Sequence, residues 1–143
     1  AAGNEPDFQV PWIYNWTERP YKTSETVHRI LNEMYTSLPN GLPGNDDCGS
    51  MGSWYVFASI GLYPMIPGVA GFSVSTPYFK NITLHLPKGK LKIEGGSMSK
   101  PYIHSMEING KKAKKTWIDW TEIQNGAFIK YKTSEKANIK WGL

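Results

Sequence analysis

An α+β fold, with helices in the first half of the chain and antiparallel strands in the second, is predicted from three observations. Apolar residues recur at helical spacing between Val27 and Leu38, the spacing changes to two from Gly71 onward, and the charge balance reverses between the halves. Residues 1–68 hold three basic side chains (Arg19, Lys22, Arg29) against seven acidic ones, and residues 69–143 hold thirteen lysines against five acids. The break falls near Pro67-Gly68 and suggests two structural units, 1–68 and 69–143. With 143 residues, 40% apolar and 20% charged, the chain can bury a core and is not of disordered composition.

The elements follow in order. Gln9 to Trp16 (QVPWIYNW) is short and aromatic, with Pro11 suited to the first turn of a helix and Glu18-Arg19-Pro20 ending it. A helix is predicted over Ser24–Leu38. Thr23 or Ser24 would cap it, Glu25 would favour the positive end of its dipole, and Val27, Ile30, Leu31, Met34, Tyr35 and Leu38 would form one buried face. Pro39-Asn40-Gly41 stops it. The glycine-rich loop Asn40–Ser53 leads into a second helix, predicted over Ser50–Leu62 and ended by Tyr63-Pro64. That helix is apolar almost all round, which requires other elements to enclose it.

Strands are predicted where Ile82, Leu84 and Leu86 alternate with polar residues, around Leu91 and Ile93, over Tyr102–Ile108, and at Thr116–Trp120, Ala127–Lys132 and Ala137–Trp141. Asn109-Gly110 is a type I′ hairpin signal, and many short strands separated by turns suggest a sandwich or jelly-roll module.

Several classes are excluded or set aside. No apolar run approaches the length of a membrane span, and AAGNEPDF lacks the features of a secretory signal. A single cysteine, Cys48, precludes an internal disulfide framework and a cysteine-based zinc site; with no histidine near it, it reads as a small buried residue. The lysine-rich half reads as a solvated sheet surface. Nucleic-acid binding is set aside, because no arginine follows Arg29 and no RNP-like or helix-turn-helix pattern is present. His28, His85 and His104 lack ligand spacing and read as structural. Asn15-Trp16-Thr17 and Asn81-Ile82-Thr83 match glycosylation sequons, a triplet that also arises by chance.

Two acidic clusters could carry chemistry. Asp46 and Asp47, before a helix, could cap it, ligate a hard cation such as calcium, or act as general base on a water. The spacing is not that of an EF-hand. Asn4-Glu5-Pro6-Asp7 is either a surface turn or a second set of oxygen donors. Trp12, Tyr14 and Trp16 follow one cluster, and Trp54 and Tyr55 the other. Aromatic faces beside carboxylates suit a sugar-binding cleft, although core packing explains Trp54 and Tyr55 better.

The strings GNEPDFQVPWIYNW, PYKTSETVHRIL and GLPGNDDCGSMGSWYVFASIGLYPMIPG, with STPYFKNITLHLP, the YIHSMEING hairpin and the closing WGL, resemble the C-terminal part of glycoside hydrolase family 92. Members of that family are calcium-dependent exo-α-mannosidases. The resemblance covers essentially the whole chain. It implies that residues 1–68 are the last helices of an (α/α)6 barrel and residues 69–143 an antiparallel β-rich, sandwich-like module. It further implies inverting hydrolysis of terminal α-mannosides, with Asp47 as the general base and the general acid upstream of this chain. Glu5 and Asp47 would be ligands of Ca2+, and Asn4, Glu5, Asn45 and Asp46 would contact substrate.

The partners implied are mannose-containing glycans and the remainder of the same polypeptide, with no nucleic acid and no membrane span. The setting implied is secreted, periplasmic or cell-surface, with any signal upstream. Some relatives carry an acid where Asn45 stands, a residue that would share base duty with Asp47, and some α-1,2-active relatives carry a histidine where Asn4 stands, which leaves α-1,3 or another linkage open beside α-1,2. Whole members are several times longer, so the isolated chain is expected to be inactive. The alternative is a non-catalytic carbohydrate-binding or interaction module built on the β-rich half.

Overall fold

The computed structural model describes residues 3–143. Two short 3-10 segments open the chain, Glu5–Asp7 and Val10–Trp16, each with a proline in its first turn as the sequence suggests. Helix α1 spans Tyr21–Glu33 and helix α2 spans Ser50–Ile60. Both helices differ from the predicted ranges. Pro20 sets the start of α1, so Thr23 and Ser24 lie buried inside the helix instead of capping it. After Glu33 the chain folds into a loop closed by Thr36 N–H on Gly41 O (2.9 Å) and leaves Leu38 64% exposed. Helix α2 stops at Gly61, whose left-handed φ of 82° turns the chain into a strand.

Eight strands follow among the described residues: β1 (Leu62–Tyr63), β2 (Gly71–Val74), β3 (Asn81–Leu86), β4 (Gly89–Glu94), β5 (Tyr102–Ile108), β6 (Lys111–Ala113), β7 (Trp117–Asp119) and β8 (Ala127–Ser134). A short helix α3 (Trp120–Ile123) interrupts them, taking the last residue of the predicted Thr116–Trp120 strand. Strands β1, β2 and β7 form a three-stranded sheet in the order β1-β2-β7, and the rest form a five-stranded sheet in the order β3-β4-β8-β5-β6.

The expectation of a purely antiparallel module is corrected here. β4 and β8 pair in parallel, Leu91 with Ala127 through Glu94 with Lys130, so the larger sheet is mixed. Ala137–Trp141 is not a strand. Asn138 accepts from Lys140 N–H and donates to His104 O (2.9 Å), bending the segment into a turn that tucks Trp141 into the core at 3% exposure. The hairpin at Asn109-Gly110 has positive φ at both positions (51° and 77°), as a type I′ turn requires.

Two hydrophobic cores divide the molecule. One gathers Phe8, Trp12, Val27, Leu31, Tyr35, Met51, Trp54 and Tyr63 from the helical part. The other takes Leu62, Val74 and Ile118 from the small sheet with Leu91, Ile93, Met106, Ile129 and Tyr131 from the large one, so both sheets share one interior. The cores meet at β1, where strand alternation sends adjacent Leu62 and Tyr63 to opposite sides. The other face of the large sheet is polar, with Lys90, Lys92, Lys130 and Lys132 in solvent. Exposed Lys111 and Lys112 lie on edge strand β6, where lysine opposes pairing with another chain.

Buried polar side chains pin the helical part to the strands. The Asn15 amide is 7% exposed and donates to Ser73 Oγ (2.6 Å) and Val74 O (2.8 Å), while Thr116 Oγ1 donates to Asn15 O (3.2 Å). His28 Nε2 donates to Thr76 O (3.0 Å), and Ser24 Oγ accepts from Thr76 N–H (3.0 Å). The carbonyl can only accept, which fixes the proton on Nε2 of the neutral ring. Burial lowers the His28 pKa below 6.5 against the opposing effect of hydrogen bonding from the ring to the backbone of Thr76 and Met98.

Candidate functional site

The two acidic segments, forty residues apart in sequence, are brought together by backbone and by one tryptophan. Gly44 packs so closely on Gly3 that a Cβ there would lie 2.3 Å from Gly3 O, and a Cβ on Gly3 would lie 3.0 Å from Pro43 O. Only a glycine at position 44 allows that approach. On the other side of both segments, Trp54 Nε1 donates to Phe8 O (3.0 Å), and the Phe8 and Trp54 rings sit 6.5 Å apart. Asn4-Glu5 and Asn45-Asp46-Asp47 thus leave a common base, fixed at Gly3–Gly44 and at Phe8–Trp54.

That base is aromatic. Trp54 is 1% exposed and stacks on Tyr35 at 5.9 Å and 6°, and Trp12 is fully buried and stacks on Tyr63 at 4.9 Å and 11°. Such pairs contribute about 0.5–1.5 kcal/mol beyond their burial. Trp12 and Trp54 are therefore core, and of the aromatics after the first cluster only Tyr14 and Trp16 present exposed surface. Trp16 lies edge-on to Trp117 at 5.9 Å.

The side chains sort by burial. Asn4, Glu5, Asn45 and Asp47 are exposed, and Asp46 is half-buried. Asp46 Oδ1 accepts the Gly52 N–H (2.9 Å) in the first turn of α2, and its carbonyl accepts Ser50 Oγ (2.9 Å) and Met51 N–H (3.2 Å). Asp47, Cys48 and Gly49 are left-handed in succession, with φ of 45°, 61° and 85°. Two consecutive non-glycine residues in that region carry a cost of about 1–3 kcal/mol each. Cys48, in this left-handed turn ahead of the helix, is exposed, contrary to the expectation that it is buried. Tyr35 donates to Met51 O (3.2 Å), and its pKa is pushed up to about 12 by burial and by the charge of Asp46.

Two cavities open near this base. One of about 400 Å3 is lined by Asp7, Val10, Tyr14, Arg29, Glu33 and Met34, and another of about 370 Å3 by Leu31, Tyr35, Leu42, Gly52, Tyr55 and Tyr78. Neither is lined by Glu5 or Asp47, so the expected shared cleft is not enclosed by this chain alone. The donors are of the type calcium takes, carboxylate and amide oxygen. Among the described residues, however, no three His, Cys, Asp or Glu side chains group closely enough to hold a metal. His28 is buried, in line with its structural reading, and His85 and His104 are exposed. Asn15 was legible only as part of a sequon; its amide nitrogen is committed to Ser73 and Val74.

The profile of the glycosyl hydrolase family 92 catalytic domain matches residues 1–135. An uncharacterized secreted glycosidase of Arthroderma benhamiae is 31% identical over 146 residues, a match covering 98% of this chain and 19% of that protein. The family 92 α-mannosidase BT3965 of Bacteroides thetaiotaomicron, solved in complex with mannoimidazole, superposes with a TM-score of 0.94 at 30% identity, covering 99% of this chain and 19% of that one. The inverting mannosidase BT2199 of the same species superposes with a TM-score of 0.91 at 27% identity, over 98% of this chain and 19% of its own. The chain thus spans about a fifth of the length of these relatives. On the family-wide match and on a fold shared from end to end, the chain belongs to glycosyl hydrolase family 92, as a portion of its catalytic domain.

Proposed function

We propose that this chain is the C-terminal segment of the catalytic domain of an inverting, calcium-dependent exo-α-mannosidase that removes terminal α-1,2- or α-1,3-linked mannose from glycans outside the cytoplasm. The observation that carries the reading is the Gly3–Gly44 contact, which sets Glu5 and Asp47 on one base in a fold that superposes on mannosidases. The secreted relative supports the location. Among the described residues no helix is long and apolar enough to cross a membrane.

Asp47 acts as general base. It is exposed, on a turn whose left-handed backbone is held from both ends, and an ionised carboxylate there can take a proton from a water approaching the sugar. In an inverting hydrolase that water lies between the base and an acid on the other side of the bond, the two carboxyl groups being about 6.5–9.5 Å apart. The acid belongs to a part of the protein outside these residues. Glu5 and Asp47 are the carboxylates of this chain that would hold calcium, with further oxygens from outside it, and Asn4 and Asn45 lie beside them to receive sugar hydroxyls. Calcium, when bound, would offer a large and flexible coordination shell with positions open to sugar hydroxyls.

Val10, Ile13, Trp16 and Val56, each about half exposed (53%, 48%, 51% and 54%), form the apolar surface that the rest of the barrel covers. Without that cover the 143-residue chain does not turn over mannosides. The test is hydrolysis of α-mannobiosides by the full-length protein. Asp47→Asn is expected to lower kcat at least a hundredfold with substrate binding retained, and chelation to abolish turnover reversibly. Unchanged turnover in Asp47→Asn would favour the non-catalytic module.

A further inference from the structure

We propose that Asp46 is a positioning residue, which holds the turn carrying Asp47 in its left-handed form by anchoring it to the first turn of α2. The inference rests on the mannosidase reading for its catalytic consequence, but not for its structural one.

Three hydrogen bonds converge on Asp46 from residues four to six positions later: Ser50 Oγ and Met51 N–H on its carbonyl, and Gly52 N–H on Oδ1. Asp47 O accepts Ser50 N–H (3.3 Å). The residue at the N-cap, Gly49, has no side chain to offer; Ser50 and Met51 N–H find backbone carbonyls, and Gly52 N–H would face solvent unless a neighbouring side chain reached it. Asp46 does so from three positions upstream. Between the anchor and the helix, Asp47, Cys48 and Gly49 must reverse the chain within three residues, and their positive φ values achieve this. A non-glycine residue holds such a conformation only when its surroundings impose it. The surroundings here include the bonds to Asp46, of which the one from Gly52 N–H is held by its side chain. Removing its carboxylate frees Gly52 N–H and lets Asp47 and Cys48 relax, which moves the Asp47 carboxylate relative to Glu5. The Asp46 side chain needs an acceptor oxygen for this and not a charge, because the donor is a neutral amide.

The full-length protein carrying Asp46→Ala and, separately, Asp46→Asn provides the test, since the asparagine amide oxygen can still accept from Gly52. Two readouts are taken, mannoside kinetics and the labelling rate of Cys48, located by peptide mapping after reaction with a maleimide. For Asp46→Ala the expected results are a kcat at least tenfold lower with KM within about twofold, and Cys48 labelling at least fivefold faster. For Asp46→Asn labelling is expected within about threefold of the parent, and kcat is expected to fall less than in Asp46→Ala. Equal damage by both variants, a change confined to KM, or Cys48 labelling that is the same in all three proteins would overturn the inference. If the parent protein itself does not hydrolyse mannosides, the mannosidase reading fails, and the Cys48 labelling still decides the role of Asp46.

Discussion

Gly44 is the residue on which the juxtaposition of the two acidic segments most depends. It is achiral space, not flexibility, that matters there: a single methyl group would lie 2.3 Å from Gly3 O, and neither partner is a flexible side chain that could move aside. Gly44→Ala is therefore expected to separate the segments and lower kcat by at least tenfold while leaving the fold intact by circular dichroism. His28 carries a different consequence. Its pKa is lowered by burial, so the unfolded state binds a proton that the folded state refuses. The contribution of neutral His28 is complete above about pH 6.5, the unfolded value, and is lost as pH falls below it. The midpoint of thermal unfolding is expected to drop between pH 7 and pH 5 more steeply in the parent than in His28→Gln.

At the scale of elements, what was legible in the sequence was whatever depends on near neighbours. The Val27–Leu31 stripe marks the buried face of α1, the alternation at Ile82–Leu86 and Leu91–Ile93 marks β3 and β4, and Asn109-Gly110 marks the hairpin. Boundaries failed where a distant partner decides them. Ser24 reads as a cap until Thr76 is found bonded to it, and Trp141 reads as a strand residue until Asn138 is found bonded to His104 O. The parallel pairing of β4 with β8 leaves no local trace, because parallel and antiparallel neighbours impose the same alternation on a strand.

The junction between α2 and β1 illustrates how an element end becomes specific. Gly61 has φ of 82°, and a Cβ there would lie 2.8 Å from Ser75 O and 2.9 Å from Pro77 N. Gly61→Ala meets both a left-handed penalty and a backbone clash, so a loss of about 2 kcal/mol or more is expected by denaturant unfolding. A loss below about 0.5 kcal/mol would mean that the strap over Gly61 yields easily.

At the scale of the whole molecule, two cores joined at Leu62-Tyr63 are held in register by Asn15, Ser24 and His28, polar side chains buried with partners on the strand side. Each satisfies backbone or hydroxyl groups that would otherwise be orphaned, so the helical part cannot slide on the sheets without leaving donors or acceptors unpaired. The acidic motifs were legible in the sequence as candidates, since carboxylates, amides and glycines stand together in each. Their meeting was not, because it rests on Gly3 against Gly44 and on Trp54 against Phe8, pairs separated by about forty residues. The chain matches about a fifth of its relatives' length, and it leaves Val10, Ile13, Trp16 and Val56 about half exposed.

The joint service of Glu5 and Asp47 to one ion is tested most directly by a double-mutant cycle on calcium-induced stabilisation of the full-length protein, comparing the parent, Glu5→Gln, Asp47→Asn and the double variant. If both carboxylates grip the same calcium, each single substitution removes most of the calcium-dependent rise in unfolding temperature and the double substitution removes little more. Calcium shifts that survive either substitution, or losses that simply add, would mean that the two segments serve separate sites.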